Sequence, residues 1–194
     1  MIVAIEGCIG SGKSTTARML ADHLSCGVLL EQTADHPFLA EFYSEPSQNA
    51  LETELGFVLL HYHRLKSAQA EQRLVTDFSP GKDLVFGKMN LQGTDFELFN
   101  HVYRALTDRL NKPRVAIYLD LPLELLMERI RKRGRPYEQG IPKSYLEGLR
   151  ESYFANLSEL GQTVRVVKVE AGESVQAVFG KVVGVAERDI SDKT

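Results

Sequence analysis

Cysteine is scarce in this chain of 194 residues, with only Cys8 and Cys26 present. Two thiols in a chain this long do not frame a disulfide scaffold, which points to a reducing compartment. Long hydrophobic runs are missing too, and none reaches the ~18 residues that a membrane span needs. Positive charge is not in excess: 23 Lys and Arg stand against 26 Asp and Glu, for a net charge of −3. No basic surface is therefore expected for nucleic acid or membrane, and a small-molecule partner is expected instead. Repeats and low-complexity tracts are also lacking. The opening MIVAIEG runs straight into a strand pattern, with no basic segment or small-residue cleavage site. It is expected not to be a signal peptide, and a cytoplasmic location is the default. What is present suffices for a core: 43% of the residues are hydrophobic and 25% charged. One domain is expected over residues 1–194.

Short apolar runs alternate with helical spacing along the chain. Ile2–Glu6, Gly27–Glu31, Arg73–Asp77, Arg114–Asp120 and Val164–Glu170 read as strands. The first is almost wholly apolar, which suits a strand buried on both faces of a parallel sheet. Helices are predicted at 13–25, 37–43, 50–72, 84–91, 96–110, 122–132, 142–160 and 174–188. Thr94 and Glu97 form a capping-box pattern at the start of the fifth. The alternation predicts an α/β fold in three layers, α/β/α, around a five-stranded parallel sheet. RGRPYEQGIP, from Arg133 to Pro142, breaks every period and reads as a mobile loop.

IEGCIGSGKST, Ile5–Thr15, joins the first strand to the first helix and contains G-x-x-x-x-G-K-[ST] at Gly7, Gly12, Lys13 and Ser14. That context makes it a phosphate-binding loop, or P-loop. Gly7, Gly10, Ser11, Gly12, Lys13, Ser14 and Thr15 are the predicted nucleotide-binding residues. The glycines let backbone N–H groups turn inward, and the helix N-terminus adds its positive end. Lys13 is expected to reach the β- and γ-phosphates, and Ser14 to ligate Mg²⁺. Motors, switches and small-molecule kinases all share this loop. A switch would carry a base-reading N-K-x-D, but NKPR at 111–114 has the wrong fourth residue.

YLDLPLELLMERIRKRGRPYEQGIPKSYLEGL, Tyr118–Leu149, narrows the choice. It resembles the deoxynucleoside kinase family, whose lid reads R-G-R-x-x-E-Q-G-I-P followed by Y-L-E. The P-loop has that family's form as well, and the two segments cover about a quarter of the chain. The resemblance implies a P-loop kinase with an Arg-rich lid at about 133–141, which uses ATP and Mg²⁺ on the 5′-hydroxyl of a nucleoside. It implies that Glu31 is the general base and that Arg129, Arg133 and Arg135 close over the phosphates, with Lys13 as the other catalytic cation. Tyr43 and Glu138 would hold the deoxyribose 3′-hydroxyl, and Asp77 would join Ser14 near Mg²⁺. Glu54, His61 and Asp83 occupy the base-reading positions. The family is usually dimeric through helices, so a homodimer through 50–72 and 96–110 is expected.

Two departures qualify the resemblance. The family has an acid, then Arg, then Ser after the third strand, whereas this chain has Asp77-Phe78-Ser79. Lys82 is the candidate replacement cation, on the view that it shares a helix face with Phe78. Glu54 stands where the family has Gln. An ionised Glu only accepts hydrogen bonds, which would favour a base edge rich in N–H groups, such as guanine or an exocyclic amine. A purine deoxynucleoside or deoxycytidine is therefore the expected substrate. A nucleoside monophosphate kinase is a second reading, and a nucleotide-binding regulator of weak activity is a third, supported by Phe78.

Overall fold

The computed structural model describes residues 1–161 and 164–191. Five parallel strands form one sheet in the order β2-β3-β1-β4-β5. They are β1 (Ile2–Glu6), β2 (Gly27–Leu29), β3 (Leu74–Thr76), β4 (Val115–Asp120) and β5 (Arg165–Glu170). The helices are α1 (Lys13–His23), α2 (Leu39–Ser44), α3 (Pro46–Ser67), α4 (Pro80–Asn90), α5 (Gly93–Thr107), α6 (Leu123–Arg133), α7 (Lys143–Leu160) and α8 (Val175–Ser191). Single 3₁₀ turns occupy Thr33–Asp35 and Pro136–Glu138. The predicted α/β/α architecture is the one observed.

The centre of the sheet is apolar because it is covered on both faces. Val3, Ala4 and Ile5 of β1, and all six residues of β4, are buried. α1 and α8 pack on each other and on the strands, and α4 packs on α7 and on α3. The largest core cluster runs from Ile5 and Ile117 through Leu20 to Val182 and Tyr153. The chain leaves β1 for β2 and β3 on one side, then crosses to β4 and β5 on the other. Ligands of such sheets bind beyond the carboxyl ends of the strands, at this reversal of order. Among the described residues, no helix is long and apolar enough to cross a membrane.

Several helix ends differ from the sequence reading, and three of them bear on its arguments. α4 starts at Pro80, not at 84: the Ser79 hydroxyl accepts from the Gly81 N–H at 3.1 Å, and Pro80 takes the first helical position. Both are helix-start signals. Phe78 therefore lies outside the helix, and the shared face argued for Phe78 and Lys82 does not exist. α5 starts at Gly93 with Gln92 as its cap and no side-chain bond, so Thr94 caps nothing. α3 stops at Ser67, because the following Gln69, Glu71 and Gln72 offer no apolar side chain to continue the buried stripe.

Candidate active site

The P-loop follows directly from β1. Gly7 has φ 146°, and a Cβ there would stand 2.9 Å from the Leu119 carbonyl oxygen, so a side chain has neither the backbone nor the space. Gly12 enters α1 in the left-handed region, φ 95°, and no side chain caps the helix. The first-turn N–H groups are thus left for an anion. The Lys13 ammonium folds back onto the carbonyls of Gly7 and Cys8, at 2.9 and 3.0 Å. Burial pulls its pKa down, helped by Lys82 and opposed by Glu31 and Asp77.

Opposite the loop, Ser14 donates to Asp77 Oδ2 at 2.5 Å, and Asp77 Oδ1 accepts the backbone N–H of Glu31 at 2.6 Å. A hydroxyl beside a carboxylate suits Mg²⁺, which takes few protein ligands and keeps several waters. The chemistry of this pair fits the ion.

Glu31 stands just past β2 with its side chain 12% exposed. Lys82, on the first turn of α4, donates to its Oε1. His61 Nε2 lies 3.1 Å from the same oxygen, close enough for an ion pair but off the line of a hydrogen bond. The other ring nitrogen, Nδ1, meets Asp83 Oδ1 at 2.7 Å. Burial by itself would raise the Glu31 pKa, but Lys82 and His61 outweigh it and hold the carboxyl well below the usual range. For His61, burial opposes the charge, yet Asp83 and Glu31 prevail and lift its pKa to about 9. The predicted His61–Asp83 pair therefore exists, and at neutral pH its imidazole is an imidazolium.

Glu54 faces the same pocket from α3 and is 2% exposed. Its Oε1 accepts from Asn90 Nδ2 at 2.7 Å, and that amide also donates to Tyr145 Oη at 3.3 Å. No ion-pair partner reaches Glu54 among the described residues. Burial pushes its pKa to about 8, with the Asp83 charge adding to it and Asn90 opposing. An ionised, acceptor-only Glu54 was the expectation. The buried site instead keeps it protonated at neutral pH, so the preference for donor-rich bases no longer follows.

Residues that follow α6 line the pocket as well. Arg133 donates twice to Glu138 Oε2, from Nε at 2.9 Å and Nη2 at 2.5 Å. Arg135 Nη1 reaches both Glu138 Oε1 and Thr33 Oγ1 at 3.3 Å. Tyr137 stacks on Tyr43, with centroids 6.0 Å apart. Thus Gly10, Lys13, Ser14, Glu31, Tyr43, Glu54, Asp77, Lys82, Asp83, Arg133, Arg135 and Glu138 all line one pocket. His61 stands behind Glu31. Gly7, Ser11, Gly12 and Thr15 belong to the loop without lining that pocket. Arg129 lies apart from the other two arginines, donating to the Ser11 and Ala171 carbonyls at 3.1 and 3.4 Å.

Sequence reasoning missed several members. Phe57, Phe86, Tyr137 and Tyr145 supply aromatic surface, and Thr53 Oγ1 is a buried hydroxyl without a partner among the described residues. Glu6, outside the pocket lining, is buried at the end of β1, where it accepts from Ser79 Oγ and from Tyr153 Oη at 3.5 Å. Burial raises its pKa to about 7, against the pull of Ser79 and Lys13. A carboxylate ending an otherwise apolar strand was a readable signal for it. The aromatic residues carried none beyond ordinary core spacing.

The family model for deoxynucleoside kinase matches residues 3–185. The chain belongs to the deoxynucleoside kinase family. It is 33% identical over 187 residues to the deoxyguanosine kinase of Bacillus subtilis (strain 168), across 92% of this chain and 90% of that protein. It is 28% identical over 185 residues to the deoxyadenosine kinase of Dictyostelium discoideum, across 89% and 73%. The fold matches that of a deoxyadenosine kinase from M. mycoides, solved with the products dCMP and dCDP. The TM-score is 0.89 at 22% identity, over 97% of this chain and all of that one. This kinase is accordingly an enzyme that phosphorylates nucleosides, and the reading as a mere nucleotide-binding regulator falls away. Its Phe78 departs from the family pattern inside an otherwise assembled site.

Proposed function

We propose that the kinase transfers the γ-phosphate of ATP, with Mg²⁺, to the 5′-hydroxyl of a deoxynucleoside, a purine or deoxycytidine. The relatives that act on deoxyguanosine and deoxyadenosine support the purine. The observation that carries this reading is the Glu31 carboxylate, set in one pocket with Lys13 and Ser14 of the loop and the lid pair Arg133 and Arg135. In this reading all of residues 1–194 form one catalytic domain, with residues 133–141 as its lid.

The roles follow from chemistry. Lys13 and the α1 N-terminus hold the triphosphate, with Gly7, Gly10, Ser11, Gly12 and Thr15 shaping the cradle. Ser14 and Asp77 would hold Mg²⁺, which when bound neutralises phosphate charge. Arg133 and Arg135 offer charge to the phosphoryl group in transfer, while Arg129 braces the loop from behind. Tyr43 and Glu138 hold the sugar 3′-hydroxyl. Glu31 accepts the 5′-hydroxyl proton. A carboxylate held this acidic is a weak base, which suffices because the transition state of phosphoryl transfer is loose and needs little proton removal. Lys82 supplies the cation beside Glu31, and Glu54, His61 and Asp83 form the wall toward the base. Lid closure keeps out water, the competing acceptor.

Two features accompany this reading. Cys8 and Cys26 are both free thiols, in keeping with a cytoplasmic enzyme. α3 and α5 pack together and expose Leu59 and Leu98 at 54% and 50%, which supports a homodimer through these helices. Charged residues at 59 and 98 are expected to yield a monomer in sedimentation. The deciding test is ATP consumption against a panel of deoxynucleosides, ribonucleosides and their monophosphates. Turnover of a deoxynucleoside that disappears with chelator is expected. Turnover of monophosphates alone, or of nothing, overturns the proposal.

A further inference from the structure

Two of the three glutamates that line this pocket are held in opposite states. Glu31 is bonded by Lys82 and has His61 beside it. Glu54 is more deeply buried, at 2% exposure, and has one neutral donor, the Asn90 amide at 2.7 Å. A buried carboxylate without a cation is costly to ionise, so it keeps its proton. Two carboxyls whose surroundings push their pKa values apart take different chemical tasks.

The charges around Glu54 come from several elements. From α4, Lys82 favours ionisation and Asp83 opposes it; from α3 itself, His61 favours it. Tyr43 of α2 and Tyr145 of α7 face the same space with raised pKa values and stay neutral. Glu31, at the end of β2, and Glu138, after α6, place negative charge near Tyr43 on the same pocket. Both positive groups are already committed, Lys82 to Glu31 and His61 between Asp83 and Glu31. Burial then decides, and the Glu54 pKa rises to about 8.

We infer that Glu54 meets the nucleobase as a neutral carboxylic acid, one O–H donor beside one carbonyl acceptor, and that its charge state sets the base preference of the enzyme. The inference rests on the reading of this pocket as the nucleoside site. The neutral acid pairs with adenine by accepting from the N6 amine and donating to N1, and with guanine by accepting from N1–H and donating to O6. Once ionised it has no proton to give. Adenine then loses one of its two bonds and faces lone pair against lone pair. Guanine instead offers N1–H and the N2 amine to the two oxygens. Alkaline conditions should therefore shift preference toward guanine.

The test is the ratio of kcat/KM for deoxyguanosine over deoxyadenosine as pH rises from about 6 to about 8.5. kcat/KM reports the free enzyme, in which a group of pKa about 8 is about three-quarters ionised at the upper limit. The ratio should rise at least about fourfold. The isosteric Glu54→Gln variant has no proton to lose, so its ratio should stay flat. A flat wild-type ratio with measurable turnover, or an unchanged rise in Glu54→Gln, overturns the inference while leaving the kinase reading intact. Carboxyl-carbon NMR of glutamate-labelled protein reads the charge state without turnover. One resonance should titrate near pH 8 and vanish in Glu54→Gln, and its absence overturns the inference even if no nucleoside is phosphorylated.

Discussion

The imidazole of His61 lies on the ring of Phe78, with centroids 4.2 Å apart and planes 20° from parallel. Phe78 is wholly buried, in a cluster with Leu65 and Leu110. Where the family has an arginine, this kinase has a flat apolar support, and the cations beside Glu31 come from His61 and Lys82. The stacked ring fixes the imidazolium so that its two nitrogens meet Asp83 and Glu31. Adding the arginine back is thus expected to disturb packing under His61 before it helps catalysis.

His61→Phe keeps the stack and removes the charge. Asp83, 3% exposed, is then left without its partner. Breaking a buried pair from one side costs about 3–5 kcal/mol. Urea melts should show a loss of that order, and adding Asp83→Leu should recover a large part of it, since an apolar pair is close to neutral. A single variant as stable as wild type would show that the pair carries no strain of burial.

Lys82 has a different signature. Its ammonium bonds Glu31 and lies 5.2 and 5.3 Å from the ring centroids of Phe57 and Phe86. Lys82→Met keeps most of the volume and drops the charge. A hydrogen bond to a charged group is worth about 1.5–3 kcal/mol, so kcat should fall roughly 10- to 150-fold. Glu31 would lose the cation that most depresses its pKa. The acid limb of the pH–rate profile should then move to higher pH. Wild-type kcat with an unmoved limb would assign Lys82 to packing alone.

The phosphate loop and the lid were readable because each is contiguous: its chemistry lies in one stretch, and neighbours along the chain are neighbours in space. The His61–Asp83 pair was also readable, through the family's base-reading positions, which both residues occupy. The charge of Glu54 was not. It depends on Asn90 at the far end of α4, on Tyr145 of α7, and on Lys82 being taken by Glu31, relationships that only folding creates. The destination of Phe78 was hidden for a simpler reason. Ser79 and Pro80 start α4 after it, so spacing along a helix did not apply to it.

Stability should fall on the alkaline side. Among the buried groups with raised pKa values, three are lifted into the range from 7 to 9: Glu6 near 7, Glu54 near 8 and His61 near 9. A raised folded pKa means the native state binds the proton more tightly, so its contribution is complete below the unfolded value and lost as pH climbs through the folded one. For the two glutamates the loss runs from about 4.5 up to about 7 and 8, and for His61 from 6.5 to about 9. The His61 share is roughly 3 kcal/mol, at 1.36 kcal/mol per unit. Glu31 runs the other way, with a lowered pKa whose stabilisation fades in acid. Denaturant midpoints measured from pH 6 to about 9.5 should decline steadily, and His61→Phe should flatten the upper part. Midpoints that rise with pH over that range would contradict the protonated interior.

Glu138 gathers Arg133 and Arg135 after α6, the segment proposed as the lid. It is 4% exposed and receives three hydrogen bonds, two from Arg133 and one from Arg135. Both guanidinium groups are about a third or more exposed, so solvent weakens each pair and the cost to global stability is small. The local effect is larger. Glu138→Gln removes the charge and turns an amide N–H₂ toward one of two cations, so the closed segment loses what fixes it over Thr33 and Tyr43. The nucleoside KM should rise roughly 10-fold or more, as expected for a charge-assisted bond. Trypsin should cut faster after Arg133, where Gly134 follows, while the melting midpoint changes little. Faster cleavage with an unchanged KM would make Glu138 a brace for the lid alone. A raised KM with unchanged cleavage would leave the sugar contact as its whole role.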